Sequence, residues 1–268
     1  MITAKSRISE LFENKPADKK IMSLFITTGY PDIESTVDLI LGLEKAGADL
    51  IELGMPFSDP LADGPTIQYS SNIAIDNGCN LNTVFETVRK VREKSDIPLV
   101  LMGYLNPVLH YGLDRFFAEA GEAGVDGLVL PDVPVEESAL VVDRSKKHDI
   151  DLIYLVAPNT SNERMRMIDR QASGFVYCVS VTGVTGARSG EEVSRSVDRF
   201  MDRVNKNITR NPVLVGFGIK NHDDAMKISH RCDGFIVGSA LIDNIRENYP
   251  QENWKQKLFD FAFHLKNG

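Results

Sequence analysis

A chain of 268 residues, 43% of them hydrophobic, can bury a sizeable core. Its length is ordinary for one α/β barrel, so residues 1–268 are expected to form a single domain. A formal net charge of -8 and a sequence pI near 5.2 give no broad positive field, which argues against nucleic acid or an acidic membrane surface as partner. A small anion remains possible, because N–H groups at a helix start bind one locally. Cys79, Cys178 and Cys232 are odd in number and widely spaced, so neither a disulfide framework nor a zinc site is expected. Residues 1–20 contain no apolar run of leader length, and no later segment suits a membrane span, so the expected compartment is the cytoplasm.

In chain order, residues 6–12 read as a helix whose Ile8, Leu11 and Phe12 are available to cover a barrel floor. A strand is predicted at 22–27, then a helix carrying Ile33, Val37, Ile40 and Leu41 on one face and ending at Gly47. The second strand, 50–53, leads into a long connection, 54–79. A helix with Val84, Val88 and Val91 on one face comes next, then a strand at 99–102, a helix end at Gly124 and a strand at 127–130. Further strands are predicted at 152–156 and 175–179, followed by a second long connection, 180–190, and then by strands at 213–217 and 234–237. A closing helix at 254–265 carries Leu258, Phe259, Ala262, Phe263 and Leu265. Ala46-Gly47-Ala48-Asp49, Ala123-Gly124-Val125-Asp126 and Cys232-Asp233-Gly234 echo one another as helix end, turn and strand start. Eight strand–helix units of this kind predict an α/β fold, a closed (β/α)8 TIM barrel with an extra N-terminal helix.

Both long connections follow strand C-termini, the face where this fold gathers its chemistry. Strand alternation puts Leu50 and Glu52 on one side and Ile51 and Leu53 on the other. Glu52 therefore points into the barrel or into the helix shell, and the shell is a poor place for a charge. Inward and partly desolvated, its carboxyl would titrate near neutrality and suit acid/base work; the plainer alternative is a salt-bridged or capping glutamate. Asp59 and Asp63 lie in the following Pro- and Gly-rich stretch, where aspartates often only shape turns, but their nearness to Glu52 makes them candidates.

Gly186, Gly218 and Gly238 follow the sixth, seventh and eighth strands, with Ser239 next to the last, an order that fits a phosphate cradle as well as simple tight turns. Gly42 and Gly47 have the spacing of a nucleotide-binding loop but continue with alanine inside a helix. His110, His148, His222, His230 and His264 lack metal-ligand spacing, so no metal is expected. Lys220, just after the seventh strand, is a candidate Schiff-base lysine, although such a lysine is usually solvated.

Several segments together resemble the alpha subunit family of tryptophan synthase. They are Phe25-Ile26-Thr27-Thr28-Gly29-Tyr30-Pro31, residues 51–65 with Gln68, Asn106-Pro107, Asp132-Val133-Pro134, Ala157-Pro158-Asn159, and residues 182–188, 216–219 and 237–240. The resemblance spans nearly the whole chain and is most specific from Glu52 to Pro65. It implies a lyase of tryptophan biosynthesis that cleaves indole-3-glycerol phosphate to indole and glyceraldehyde 3-phosphate in a retro-aldol-type reaction. Glu52 would then transfer protons and Asp63 would sit beside the indole nitrogen. Phe25, Tyr104, Tyr177 and Phe217 would line the indole pocket, and Thr185, Gly186, Gly218, Gly238 and Ser239 would bind substrate around the phosphate. Residues 182–190 would form a lid. Asp59 and Pro60 would meet a beta subunit, in an alpha2beta2 tetramer, that carries pyridoxal phosphate; no cofactor is expected in this chain. Gly103, where a larger residue is usual, and a lengthened stretch at 204–211 depart from the pattern. Rival readings are a phosphate-sugar aldolase using Lys220 and a non-catalytic barrel that binds a phosphate ligand and activates a partner.

Overall fold

The structure is a computed structural model that describes residues 6–179, 190–216 and 218–268, with the side chains of 190–195 outside the described residues. In chain order it contains α1 (Arg7–Asn14), β1 (Ile21–Thr27), α2 (Ser35–Lys45), β2 (Leu50–Gly54), α3 (Pro65–Asp76), α4 (Leu81–Arg92), β3 (Leu99–Met102), α5 (Leu105–Tyr111), α6 (Leu113–Ala123) and β4 (Gly127–Val129). The second half continues with α7 (Ala139–Lys147), β5 (Asp151–Val156), α8 (Asn162–Gln171), β6 (Val176–Val179), α9 (Gly190–Asn207), β7 (Val213–Gly216), α10 (His222–Ser229), β8 (Gly234–Val237), α11 (Ser239–Asn248) and α12 (Trp254–Asn267). The strands pair in sequence order, every pair parallel, and β8 returns to β1 to close the barrel. All eight expected strands are present, their ends shifted by no more than one residue.

Period-two alternation sorts the strand residues into a lumen and a shell. Ile21, Leu50, Val100, Val129, Ile153, Phe175, Leu214 and Ile236, one from each strand position around the barrel, pack together inside it. Ile8 of α1 joins them, with Leu11 and Phe12 against the same cluster, so the N-terminal helix plugs the floor as expected. Ile51 and Leu53 belong instead to the larger cluster between strands and helices, together with Val84, Val88 and Val91 of α4. Since Leu50 is inward, Glu52 is inward too, which decides the alternative that the sequence left open.

The echoed aspartates have a shared mechanical role at the floor. Asp49 accepts the Met22 N–H of β1 (2.7 Å), Asp126 the Leu99 N–H of β3 (2.7 Å), and Asp233 the Val213 N–H of β7 (2.9 Å). Ser173, three residues before β6, does the same for Leu152 of β5 (3.0 Å), so each odd-numbered strand has an N–H capped from the segment that leads into its even-numbered neighbour. Gly47 and Gly124 take positive φ angles of 108° and 94° just past α2 and α6, the left-handed turn that glycine permits.

One expectation needs correction. The connection from Gly54 to Cys79 is not a loop throughout: α3 fills its second half, started by Gly64 and by Pro65 at the first helical position. Its buried face is Ser70, Ser71 and Ala74, too polar to register as an apolar stripe. On α12, Leu258, Ala262 and Leu265 face inward, but Phe263 is 51% exposed, because it falls on the opposite side of the helix from that buried set. Gly103 is small for a reason: a Cβ there would lie 2.8 Å from the Met55 side chain. The lengthened stretch before β7 is tied down by Asp169, whose carboxylate accepts the N–H groups of Thr209, Arg210 and Asn211.

Candidate active site

A cleft of about 730 Å³ opens at the C-terminal mouth of the barrel. Phe25 of β1, Met102 of β3, Leu155 of β5 and Tyr177 of β6 line its depth, Asp63 its flank, and Gly218, Gly238 and Ser239 its far side. Glu52 is register-paired with Phe25 and lies one residue layer below the Gly54–Met102 pair, fully buried at 0% exposure.

Ser23 donates a hydrogen bond to Oε1 of Glu52 (2.6 Å), while Oε2 is buried without a hydrogen-bond partner. Burial raises the carboxyl to about 7, partly opposed by the serine bond. A group with that value holds and releases a proton at neutral pH, as an acid/base catalyst must. An orphaned, fully buried acceptor costs stability and is the kind of defect a functional site retains.

Asp63 sits in the loop between β2 and α3, its N–H bonded to the Pro60 carbonyl (2.9 Å) and its carbonyl accepting from Gln68 (2.9 Å). The Tyr104 hydroxyl donates to Asp63 Oδ2 (3.0 Å) and accepts the Ala62 N–H (2.9 Å), which fixes the carboxylate's direction. Desolvation raises the Asp63 carboxyl and the tyrosine bond opposes the rise. The Tyr177 phenol is pushed well up, by burial first and then by the negative charges of Glu52 and Asp63, which places both carboxyls within electrostatic reach of one ring. Ring space comes from a missing side chain: a Cβ at Gly54 would lie 2.7 Å from the Phe25 ring.

Beside α3, which Thr66 ties to Asp243 (3.2 Å), α11 begins at the cleft wall. Its N-cap, Gly238, makes no side-chain cap bond, and the Leu241 and Ile242 N–H groups bond the Gly238 carbonyl. Helix geometry leaves the Ser239 and Ala240 N–H groups with no acceptor inside the helix, and Ser239 and Ala240 both line the cleft. Gly218, at φ 65°, bounds the same space, and no heavy atom approaches within 4 Å of where its Cβ would be. Main-chain donors beside open space are what an oxyanion requires.

Thr185, Gly186 and Phe217, and residues 182–189 of the lid assigned to 182–190, lie outside the described residues, while Gly190 begins α9. Asp59 is exposed, but Pro60 is buried beneath its own loop, and the outward apolar residue is its neighbour Leu61, 92% exposed. Lys220 is exposed at the cleft edge, the position of a solvated amine. Gly42 lies inside α2 against the Phe259 ring and has no part in a nucleotide loop. Among the described residues no group of His, Cys, Asp and Glu is arranged to hold a metal ion, and no helix is long and apolar enough to cross a membrane. Sequence reasoning missed Ser23, Met102 and Leu155; the alternation that turned Glu52 inward also turns Ser23 inward, on the Phe25 face of β1.

A closed parallel barrel with its ionisable groups gathered at the C-terminal mouth is the architecture of the (β/α)8-barrel enzymes. Within that class the chain belongs to the tryptophan synthase alpha chain family, whose profile matches residues 12–267. It is 45% identical over 262 residues to the tryptophan synthase alpha chain of Thermoanaerobacter sp. (strain X514), covering 97% of this chain and 98% of that one. The crystal structure of the tryptophan synthase alpha chain from Legionella pneumophila subsp. pneumophila superposes with a TM-score of 0.88 at 38% identity, covering 98% of this chain and 97% of that one. A chain of the tryptophan synthase complex from Pyrococcus furiosus matches with a TM-score of 0.82 at 36% identity, covering 92% and 98% respectively.

Proposed function

We propose that the chain cleaves indole-3-glycerol phosphate to indole and glyceraldehyde 3-phosphate, as the alpha subunit of a cytoplasmic tryptophan synthase working with a beta subunit that holds pyridoxal phosphate. The observation that carries this reading is the buried Glu52, its carboxyl raised to about 7, within electrostatic reach of the same tyrosine as Asp63 and below the cleft where α11 offers free N–H groups. Family membership supports the substrate, and the geometry supports the division of labour.

The phosphate binds the Ser239 and Ala240 N–H groups beside Gly218, where the helix start favours negative charge. The indole ring lies among Phe25, Met102, Leu155 and Tyr177 with its nitrogen toward Asp63. Neutral Glu52 gives its proton to the third ring carbon, and ionised Asp63 stabilises the positive charge that develops at the nitrogen. The carbon–carbon bond to the glycerol chain then breaks and its electron pair returns to the ring. The adjacent glycerol hydroxyl yields its proton to Glu52 and becomes the aldehyde, so the carboxyl ends the cycle as it began. Tyr104 keeps Asp63 aimed throughout. Asp59 and Leu61, exposed on the loop that carries Asp63, form part of the surface that meets the beta subunit, so docking bears directly on the position of one catalytic carboxylate.

The test is indole release from indole-3-glycerol phosphate by the purified chain, alone and with a beta subunit. We expect measurable release alone and faster release with the partner. No indole under either condition refutes the reading, and a lysine adduct trapped by borohydride would give the chemistry to Lys220 instead.

A further inference from the structure

We infer that Ser23 is a positioning residue for the proton transfer: its hydroxyl holds Oε1 of Glu52, so that Oε2 is the oxygen that gives and takes the proton. The inference rests on the reading of Glu52 as the acid/base group and adds which oxygen acts and what selects it.

Ser23 lies on the lumen side of β1, register-paired with Leu50 and Ile236, both members of the apolar lumen cluster. It is itself 0% exposed. A hydroxyl buried in such a ring costs free energy unless it is hydrogen-bonded, and its bond goes to Glu52 at 2.6 Å. A serine hydroxyl carries one hydrogen, and here that hydrogen is spent on Oε1. Oε1 is therefore the poorer site for the carboxyl's own proton, and the neutral acid carries it on Oε2. Oε2 is buried and has no hydrogen-bond partner. One oxygen is thus tethered from the floor side and the other kept free for the reacting molecule.

The tether also restricts the glutamate side chain, whose several torsions would otherwise let the carboxyl turn among the surrounding apolar groups. Tyr177 on β6 feels the charges of both Glu52 and Asp63, and removing the Ser23 hydroxyl leaves all three groups in place. A change in the titration of Glu52 on that substitution therefore reports the hydroxyl.

The experiment measures kcat, KM and the pH dependence of kcat for indole release in Ser23→Ala, Ser23→Thr and the pair Ser23→Ala with Glu52→Gln, each checked by thermal unfolding. For Ser23→Ala we expect kcat to fall roughly tenfold with KM within about twofold, because a hydrogen bond to a charged group is lost while the phosphate grip is untouched. The pH midpoint assigned to Glu52 should move up by about one unit, since the anion loses a donor. Ser23→Thr, which keeps the hydroxyl, should recover most of both. In the Glu52→Gln background, removing the serine should change the residual rate less than about twofold, because the group it positions is gone. An unchanged kcat and midpoint in folded Ser23→Ala overturns the inference, as does a full tenfold loss in the Glu52→Gln background. Those results leave Glu52 itself in its role, whereas normal turnover by Glu52→Gln alone would remove the reading on which the inference rests.

Discussion

The two ends of this barrel treat carboxylates in opposite ways. At the floor, Asp126 is 4% exposed and fully engaged: it bonds Arg92 (2.5 Å), Arg7 (2.9 Å) and the Leu99 N–H (2.7 Å). Asp49 is shared between Lys266 and the Met22 N–H, and Asp151 accepts from Ser6 (2.7 Å). At the mouth, Glu52 is buried just as deeply but has a single donor on one oxygen and none on the other, and Asp63 depends on one tyrosine hydroxyl. Glu52 and Asp126 are both buried, but only Asp126 has partners on both oxygens. Desolvation raises Asp126 and Asp151 at the floor as well, but the partners of Asp126 tie strands and helices together, whereas Glu52 keeps one oxygen without a partner and open to chemistry.

This contrast predicts that mutations at the two ends separate cleanly into losses of rate and losses of stability. The largest effect belongs to the mouth. Glu52→Gln should lose roughly 100- to 10,000-fold in kcat for indole release, with Asp63→Asn falling within the same range, while affinity for a phosphate-bearing ligand barely changes. Steady-state kinetics paired with ligand-binding measurements checks this, and near-normal turnover in either variant would strip that residue of its role.

The floor should show the mirror image. Asp126→Ala leaves Arg92 buried beside an unpaired strand N–H and should cost about 3–5 kcal/mol in stability, with kcat per folded molecule unchanged. Urea unfolding and activity at a temperature where the variant is folded would show both, and a large loss of kcat without loss of stability would break the division.

A smaller effect depends on pH. The Glu52 carboxyl stands at about 7 in the folded chain against its ordinary 4.5, so between those values the folded state keeps a proton that the unfolded state has released. The stability from the neutral carboxyl is complete below about 4.5 and is lost as pH rises through about 7. Glu52→Gln, which never ionises, should therefore be more stable than the parent by up to about 3 kcal/mol at alkaline pH, a gain that disappears in acid. Unfolding curves at pH 5 and pH 8 decide it: an equal difference at both would mean that Glu52 is not held neutral by burial. The smallest expected change is at the floor, where Ser173→Ala uncaps the Leu152 N–H and should cost about 1 kcal/mol with no effect on rate.

Much of this was legible from residue patterns alone. Short apolar runs along the chain placed eight strands, and alternation in Leu50–Leu53 gave Glu52 two possible directions. The echoed segments that carry Asp49, Asp126 and Asp233 marked strand entrances, although their service as caps for neighbouring strands involves partners some twenty residues away or more. Helix α3 escaped notice because its buried face is serine and alanine, and which of the apolar residues of α12 turns inward is fixed only once the helix has a surface to pack on.

The sequence by itself determined the barrel and the family and singled out Glu52 and Asp63 as candidates, since periodicity, turn residues and ordered motifs are local properties of the chain. The tertiary structure alone decided that Glu52 faces the lumen, that Ser23 from another strand holds one of its oxygens, and that Tyr104 aims Asp63. Those facts depend on which side chains meet across a closed barrel, and the titration of a buried acid is set by that company rather than by its neighbours in the chain.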